Sequence, residues 1–160
     1  MVERAFQELG ELLTKALISG DFALYRTILT LPMRFTPKDG PSCVLIDEAA
    51  LQADFDLYVS IIRLHGVTDI YRQVLGYDRA GKGQMVVRVV THILVRANLL
   101  VAAFPTRIVM QEGADGWRIT EIESSEGHLN WALGRADVSP DGQFETQDGE
   151  AGWRGLNGET

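Results

Sequence analysis

The sequence predicts an α+β domain: a helix-rich first half, then a meander of four long antiparallel strands. Three observations carry this. Up to residue 66, apolar residues recur at three- and four-residue steps between capping residues, as in amphipathic helices. From residue 67 onward, long apolar-rich segments alternate with short breaks built from Gly, Asp and Asn, which suit hairpin turns. Between the two regimes, PKDG at 37–40 has turn composition and is flanked by two short apolar runs, LPMRF and SCVLI.

The elements follow in order. Val2, Phe6, Leu9, Leu13 and Leu17 share one helical face over residues 2–19, and Gly20 is the expected stop. Asp21 is the expected N-cap of a second helix over 22–29, which offers Phe22, Tyr25 and Ile28 or Leu29 to a core and is ended by Pro32. LPMRF and SCVLI then form a short hairpin. Asp47 caps the clearest helix, with Leu51, Phe55, Tyr58 or Val59, and Ile62 as its stripe and Gly66 as its stop. Four strands follow: DIYRQVLGYD, QMVVRVVTHILVRA, LLVAAFPTRIVMQE and GWRITEIESS. HLNWALGRA is compatible with a short helix, after which Gly and acids dominate. The division expected is one domain over 1–136 and an acidic, Gly-rich tail over 137–160.

Composition excludes several classes of function. The chain of 160 residues is 46% apolar and 23% charged, as expected of one soluble globular domain. Of its net charge of −7, the tail carries most, with six acids against Arg154 alone. No basic surface is left for a nucleic-acid backbone. No apolar run approaches the ~20 residues that cross a bilayer. MVERAFQELGELL lacks the form of a signal peptide, and Cys43 is the single cysteine, so a cytoplasmic, reducing location is expected. No basic residue flanks Cys43 closely enough to activate its thiol. No C-x-x-C, H-E-x-x-H or phosphate-loop pattern occurs, so neither a metal nor a cofactor is expected.

Residues 86–96, VVRVVTHILVR, hold the most informative side chains. Alternation puts Val87, Val89, Thr91, Ile93 and Val95 on one face and Val86, Arg88, Val90, His92, Leu94 and Arg96 on the other. The first face suits packing on helices. The second suits a partner sheet or solvent, and Val86, Val90 and Leu94 would be the contacts of a homodimer. Three placements are open to His92: the outer face or an interface, a pocket reached through a bulge, or a buried structural position. His65 is read as a helix-end residue favoured by the helix dipole.

The order helix, helix, hairpin, long helix, meander, together with G-D-F-x-x-Y at 20–25 and G-W-R-I-x-x-I-x-S-S at 116–125, resembles the nuclear transport factor 2-like superfamily. The resemblance covers roughly residues 5–126 and implies a cone, with a curved antiparallel sheet wrapped around the N-terminal helices and a pocket between them. Within the superfamily, ketosteroid isomerases carry a tyrosine and two acids at positions that correspond here to Leu13, Thr36 and Ile108. That trio is absent, which disfavours their chemistry. The histidines of scytalone dehydratase leave only His92 as a counterpart.

In such a cone, alternation would send Trp117, Ile119 and Glu121 inward, with Glu121 either buried against a partner or solvated near the rim. Arg107 either pairs with Glu121 or lies on the outer face. Tyr25, Phe35, Tyr58 and Tyr71 are aromatic candidates for the pocket mouth. The ligand-binding set expected is Tyr25, Phe35, Tyr58, Arg107, Trp117 and Glu121, holding a small, largely apolar ligand. Two alternatives stand beside it. One is an enzyme of the polyketide cyclase, dehydratase or isomerase kind, with His92 or Glu121 as base. The other is a protein-interaction module with a filled cone.

Overall fold

Asp21 and Asp47 both start helices, because each carboxylate accepts a backbone N–H that the first turn leaves without a partner: Leu24 N at 3.1 Å and Ala50 N at 2.8 Å. The computed structural model describes residues 2–37 and 42–124. Helices α1 (Val2–Ser19) and α2 (Phe22–Ile28) lead into strands β1 (Leu29–Pro37) and β2 (Cys43–Leu45). Helix α3 (Glu48–His65) follows, closed by Gly66 at φ 68°. Then come β3 (Asp69–Gly81), β4 (Gln84–Val95), the two-residue β5 (Asn98–Leu99), β6 (Phe104–Gly113) and β7 (Gly116–Ser124). The expected tail over 137–160 and the short helix in HLNWALGRA lie outside the described residues.

The fold is α+β, with helices followed by an open, curved sheet of seven strands in the order β2-β1-β7-β6-β4-β3, and β5 on β4. Two expectations are corrected. The sheet is mixed rather than antiparallel, because β1 pairs in parallel with β7. One edge of β1 is taken by β2, and the peptide groups on its other edge need partners, which the last strand supplies. The second helix runs over Phe22–Ile28, close to the expected 22–29, but Pro32 is not what ends it. Leu29 is already extended and paired with Ile119, and Pro32 lies inside β1, after a cis peptide bond with Leu31.

The faces of β4 divide as alternation requires. Val87, Val89 and Ile93 join Ile108, Met110 and Ile119 against Leu13 and Leu17 of α1, Tyr25 and Ile28 of α2, and Leu51, Phe55, Val59 and Ile62 of α3. Thr91 and Thr106 are buried on the same inner face, where their hydroxyls share a hydrogen bond of 2.9 Å across β4 and β6. A buried hydroxyl costs little when it is paired in this way.

Candidate functional site

Aromatic side chains of α2 and α3 pack on one another between the helices and the sheet. Tyr25 stands 4.5 Å from the Phe55 ring, centroid to centroid, and Phe22 stands 5.4 Å from it. Tyr25 is 2% exposed, and burial, with Asp54 and Tyr58 adding to it, raises its phenol well above the ordinary range. Open space lies instead between α1 and the inner side of the edge strand β3. There a groove of about 1000 Å³ is lined along α1 by Phe6, Gln7, Gly10, Glu11 and Thr14, and along β3 by Ile70, Arg72, Val74 and Tyr77. Its size is at the upper end of the usual range for small-molecule sites.

Local structure explains the lining. On β3, Ile70, Arg72 and Val74 pair with Ile93, Thr91 and Val89, so all three share the inner face. Leu75 is then bulged out between Val74 and Gly76, which restores Tyr77 to the inner face opposite Val87. The Phe6 ring meets Tyr77 edge to face at 6.3 Å. Gly10 leaves the floor open: a Cβ there would meet only Arg72 Nη1, at 3.9 Å.

Arg72 is the chemical centre of the groove. Its Nη1 donates to the Gly10 carbonyl at 3.1 Å and to Thr14 Oγ1 at 2.8 Å. Thr14 in turn donates to the Ile70 carbonyl at 3.1 Å, tying α1 to β3. Burial lowers the pKa of the guanidinium, while Tyr58 and Asp69 act in the opposite sense. None of the ion pairs among the described residues includes Arg72. Tyr58 is pushed up to about 12 by its own burial, with Arg72 lowering it and Asp54 raising it. It is therefore a neutral phenol at pH 7. A cation beside an apolar wall can bind and orient a ligand that carries a negative or polarised oxygen.

Of the residues expected to form the site, Tyr71, a candidate for the pocket mouth, borders this groove, while Tyr25, Phe35, Tyr58, Arg107, Trp117 and Glu121 are not in its lining. Val109 pairs with Glu121 and Met110 with Ile119, which leaves Thr120 as an extra residue in β7. The bulge reverses the alternation. Trp117 and Ile119 face the core, but Glu121 faces the back of the sheet, opposite Arg34, and accepts from Thr36 Oγ1 at 3.3 Å. The expectation that Glu121 enters the cone is therefore corrected. Arg107 also lies on the back, with Glu123 rather than Glu121 as its partner, at 3.5 Å. His92 takes the first of its three placements. It lies on the back face opposite Tyr71, ring centroids 5.5 Å apart, and its Nδ1 is buried without a hydrogen-bond partner. Neither His92 nor Glu121 is positioned as a base for a ligand in the groove. Phe35, Tyr58 and Trp117 pack against the core, and Tyr58 feels the charge of Arg72.

Sequence reasoning missed Phe6, Gly10, Thr14, Arg72 and Tyr77. One signal was present: in DIYRQV, Arg72 alternates with Ile70 and Val74, a lone cation on an apolar strand face. Among the described residues no group of three or more His, Cys, Asp or Glu side chains is placed to hold a metal, and no helix is long and apolar enough to cross a membrane.

No protein-family model matches the chain, and no curated protein matches it. Solved structures do. A nuclear transport factor 2-like protein of unknown function from Shewanella oneidensis superposes with a TM-score of 0.61 at 12% identity, over 79% of this chain and 100% of that one. A provisionally assigned ketosteroid isomerase from Shewanella frigidimarina gives 0.56 at 18% identity, over 74% and 92%. A domain of unknown function with a cystatin-like fold from Nostoc punctiforme gives 0.58 at 13% identity, over 78% and 76%. The chain has the nuclear transport factor 2-like, cystatin-like fold.

Proposed function

We propose that this chain is a small-molecule binding protein that holds a largely apolar ligand in the groove between α1 and β3. The fold itself hosts many unrelated functions and does not choose among them. The observation that carries the reading is the groove: about 1000 Å³, walled by Phe6, Ile70, Val74 and Tyr77, with the Arg72 guanidinium at one place in its lining. Apolar walls with a few convergent polar groups are the usual anatomy of a ligand site.

A neutral fluorescent probe, N-phenyl-1-naphthylamine, tests the proposal. Saturable enhancement is expected with the native protein. Gly10→Phe would place a ring over Arg72 while raising helix propensity at that position, so its fold is expected to hold. The variant is expected to weaken probe binding at least about tenfold, the cost of roughly 1.4 kcal/mol of lost contact. Equal binding by both proteins, or no saturable binding by the native one, would rule the groove out.

A second reading, a protein-interaction module, is favoured by the sealed Tyr25–Phe55 centre. The same titration separates the two, since a pure interaction module predicts no probe binding in the native protein.

A further inference from the structure

The chemical class of the ligand can be narrowed, on the premise that the groove is the binding site. Arg72 lies between Ile70 and Val74 on an apolar strand face, and α1 uses only its Nη1. No carboxylate of the described residues is ion-paired with it. Asp69, the acid whose charge it feels, is exposed, and one of its oxygens accepts the Ile70 N–H at 2.8 Å. Arg72 is half-buried in the groove lining, and a partly desolvated guanidinium with no ion-paired carboxylate beside it favours an anion that brings its own acceptors.

The rim of the groove limits the charge of that anion. Glu3, Glu11 and Asp69 lie along it. Arg4, the other cation of the lining, is exposed and already bonded to Glu8 at 3.1 Å. One unmatched cation at the floor beneath a rim of carboxylates matches a single negative charge and opposes two. Guanidinium and carboxylate are also planar partners that bond side by side. Phe6, Val74 and Tyr77 continue away from Arg72 as apolar wall.

We infer that the groove takes an amphipathic monocarboxylate, its carboxylate on the guanidinium nitrogens of Arg72 that α1 leaves unused, its apolar body along Phe6, Ile70, Val74 and Tyr77. Fatty and aromatic acids have this form. Phosphorylated ligands and neutral sterol-like ligands do not.

Displacement of N-phenyl-1-naphthylamine by three probes of equal chain length provides the test. Decanoate is expected to compete at least roughly tenfold more tightly than decanol, as a charge-assisted hydrogen bond requires, and more tightly than decyl phosphate. In Arg72→Gln the preference for decanoate over decanol is expected to fall to within about twofold, a few tenths of a kcal/mol. Should Arg72→Gln fail to fold, the series on the native protein still decides. Probe binding without a preference for decanoate overturns the inference and leaves the groove as a binding site. Tighter competition by decyl phosphate overturns it in favour of a general anion site. Absence of probe binding in the native protein overturns both readings together.

Discussion

Tyr58 is held as a neutral phenol by its environment, and the consequence appears at high pH. Its folded pKa of about 12 lies above its ordinary value of 10. A raised pKa stabilises the fold below pH 10 and ceases to do so as the pH rises through 12. Tyr25 is raised in the same direction and adds to the effect. Stability is therefore expected to fall between pH 10 and 12, by about 1–2 kcal/mol for Tyr58 after allowance for its partial exposure. Phenolate absorbance during denaturant titrations at each pH measures this, and Tyr58→Phe should flatten part of the slope. At this scale the sequence was only partly legible. Tyr25 and Tyr58 stood out as aromatics at helical spacing, but nothing local showed that Tyr25 is sealed by Phe55. Nor did local sequence show that Tyr58 feels the charge of an arginine fourteen positions on, because both depend on how α3 crosses its neighbours.

Among elements, β7 shows where strand alternation fails. The helices were legible because their caps are local: Asp21, Asp47 and Gly66 act on residues within a turn of themselves. The face of Glu121 was not, because Thr120 is extra only in relation to the partner strands. Its hydroxyl donates to the Val109 carbonyl at 3.4 Å, and Thr30 Oγ1 donates to the neighbouring Ile119 carbonyl at 3.5 Å. Deleting Thr120 removes the extra residue and leaves Ile119, Glu121, Ile122 and Glu123 in plain alternation, each on the face it already holds. Only the bond from the Thr120 hydroxyl and the local bulge geometry are lost, so a loss of stability of no more than about 1–2 kcal/mol is expected. Urea denaturation checks this. A loss of several kcal/mol would mean that the deletion had turned Glu121 and Glu123 into the core.

For the whole molecule, the back of the sheet is the surface proposed from the sequence for homodimerisation. Val86 drops out of that contact, because it is already buried within the chain at 6% exposure, beside Val109 at 5%. Val90 and Leu94 are half-buried, and Tyr71 is 55% exposed beside His92, so these would form the apolar part of the contact. Arg88 and Arg107 are occupied at the same surface by Asp78 and Glu123. Light scattering is expected to give twice the chain mass at micromolar concentration, and Leu94→Glu to return it to the monomer. A native monomer would remove the proposal.

The parallel pairing of β1 with β7 also governs when this chain can finish folding. Thr36 lies opposite Glu123, and nearly the whole described chain runs between them. During synthesis, α1, α2 and the β1–β2 hairpin leave the ribosome long before the strand that completes their sheet. Until β7 arrives, Met33 and Phe35 have no neighbour on that side, and the loop to be closed is as long as the domain itself. Folding of this domain is therefore tied to release of its last strand, and belongs with topologies rich in distant contacts, where the search for partners rather than local helix formation sets the pace.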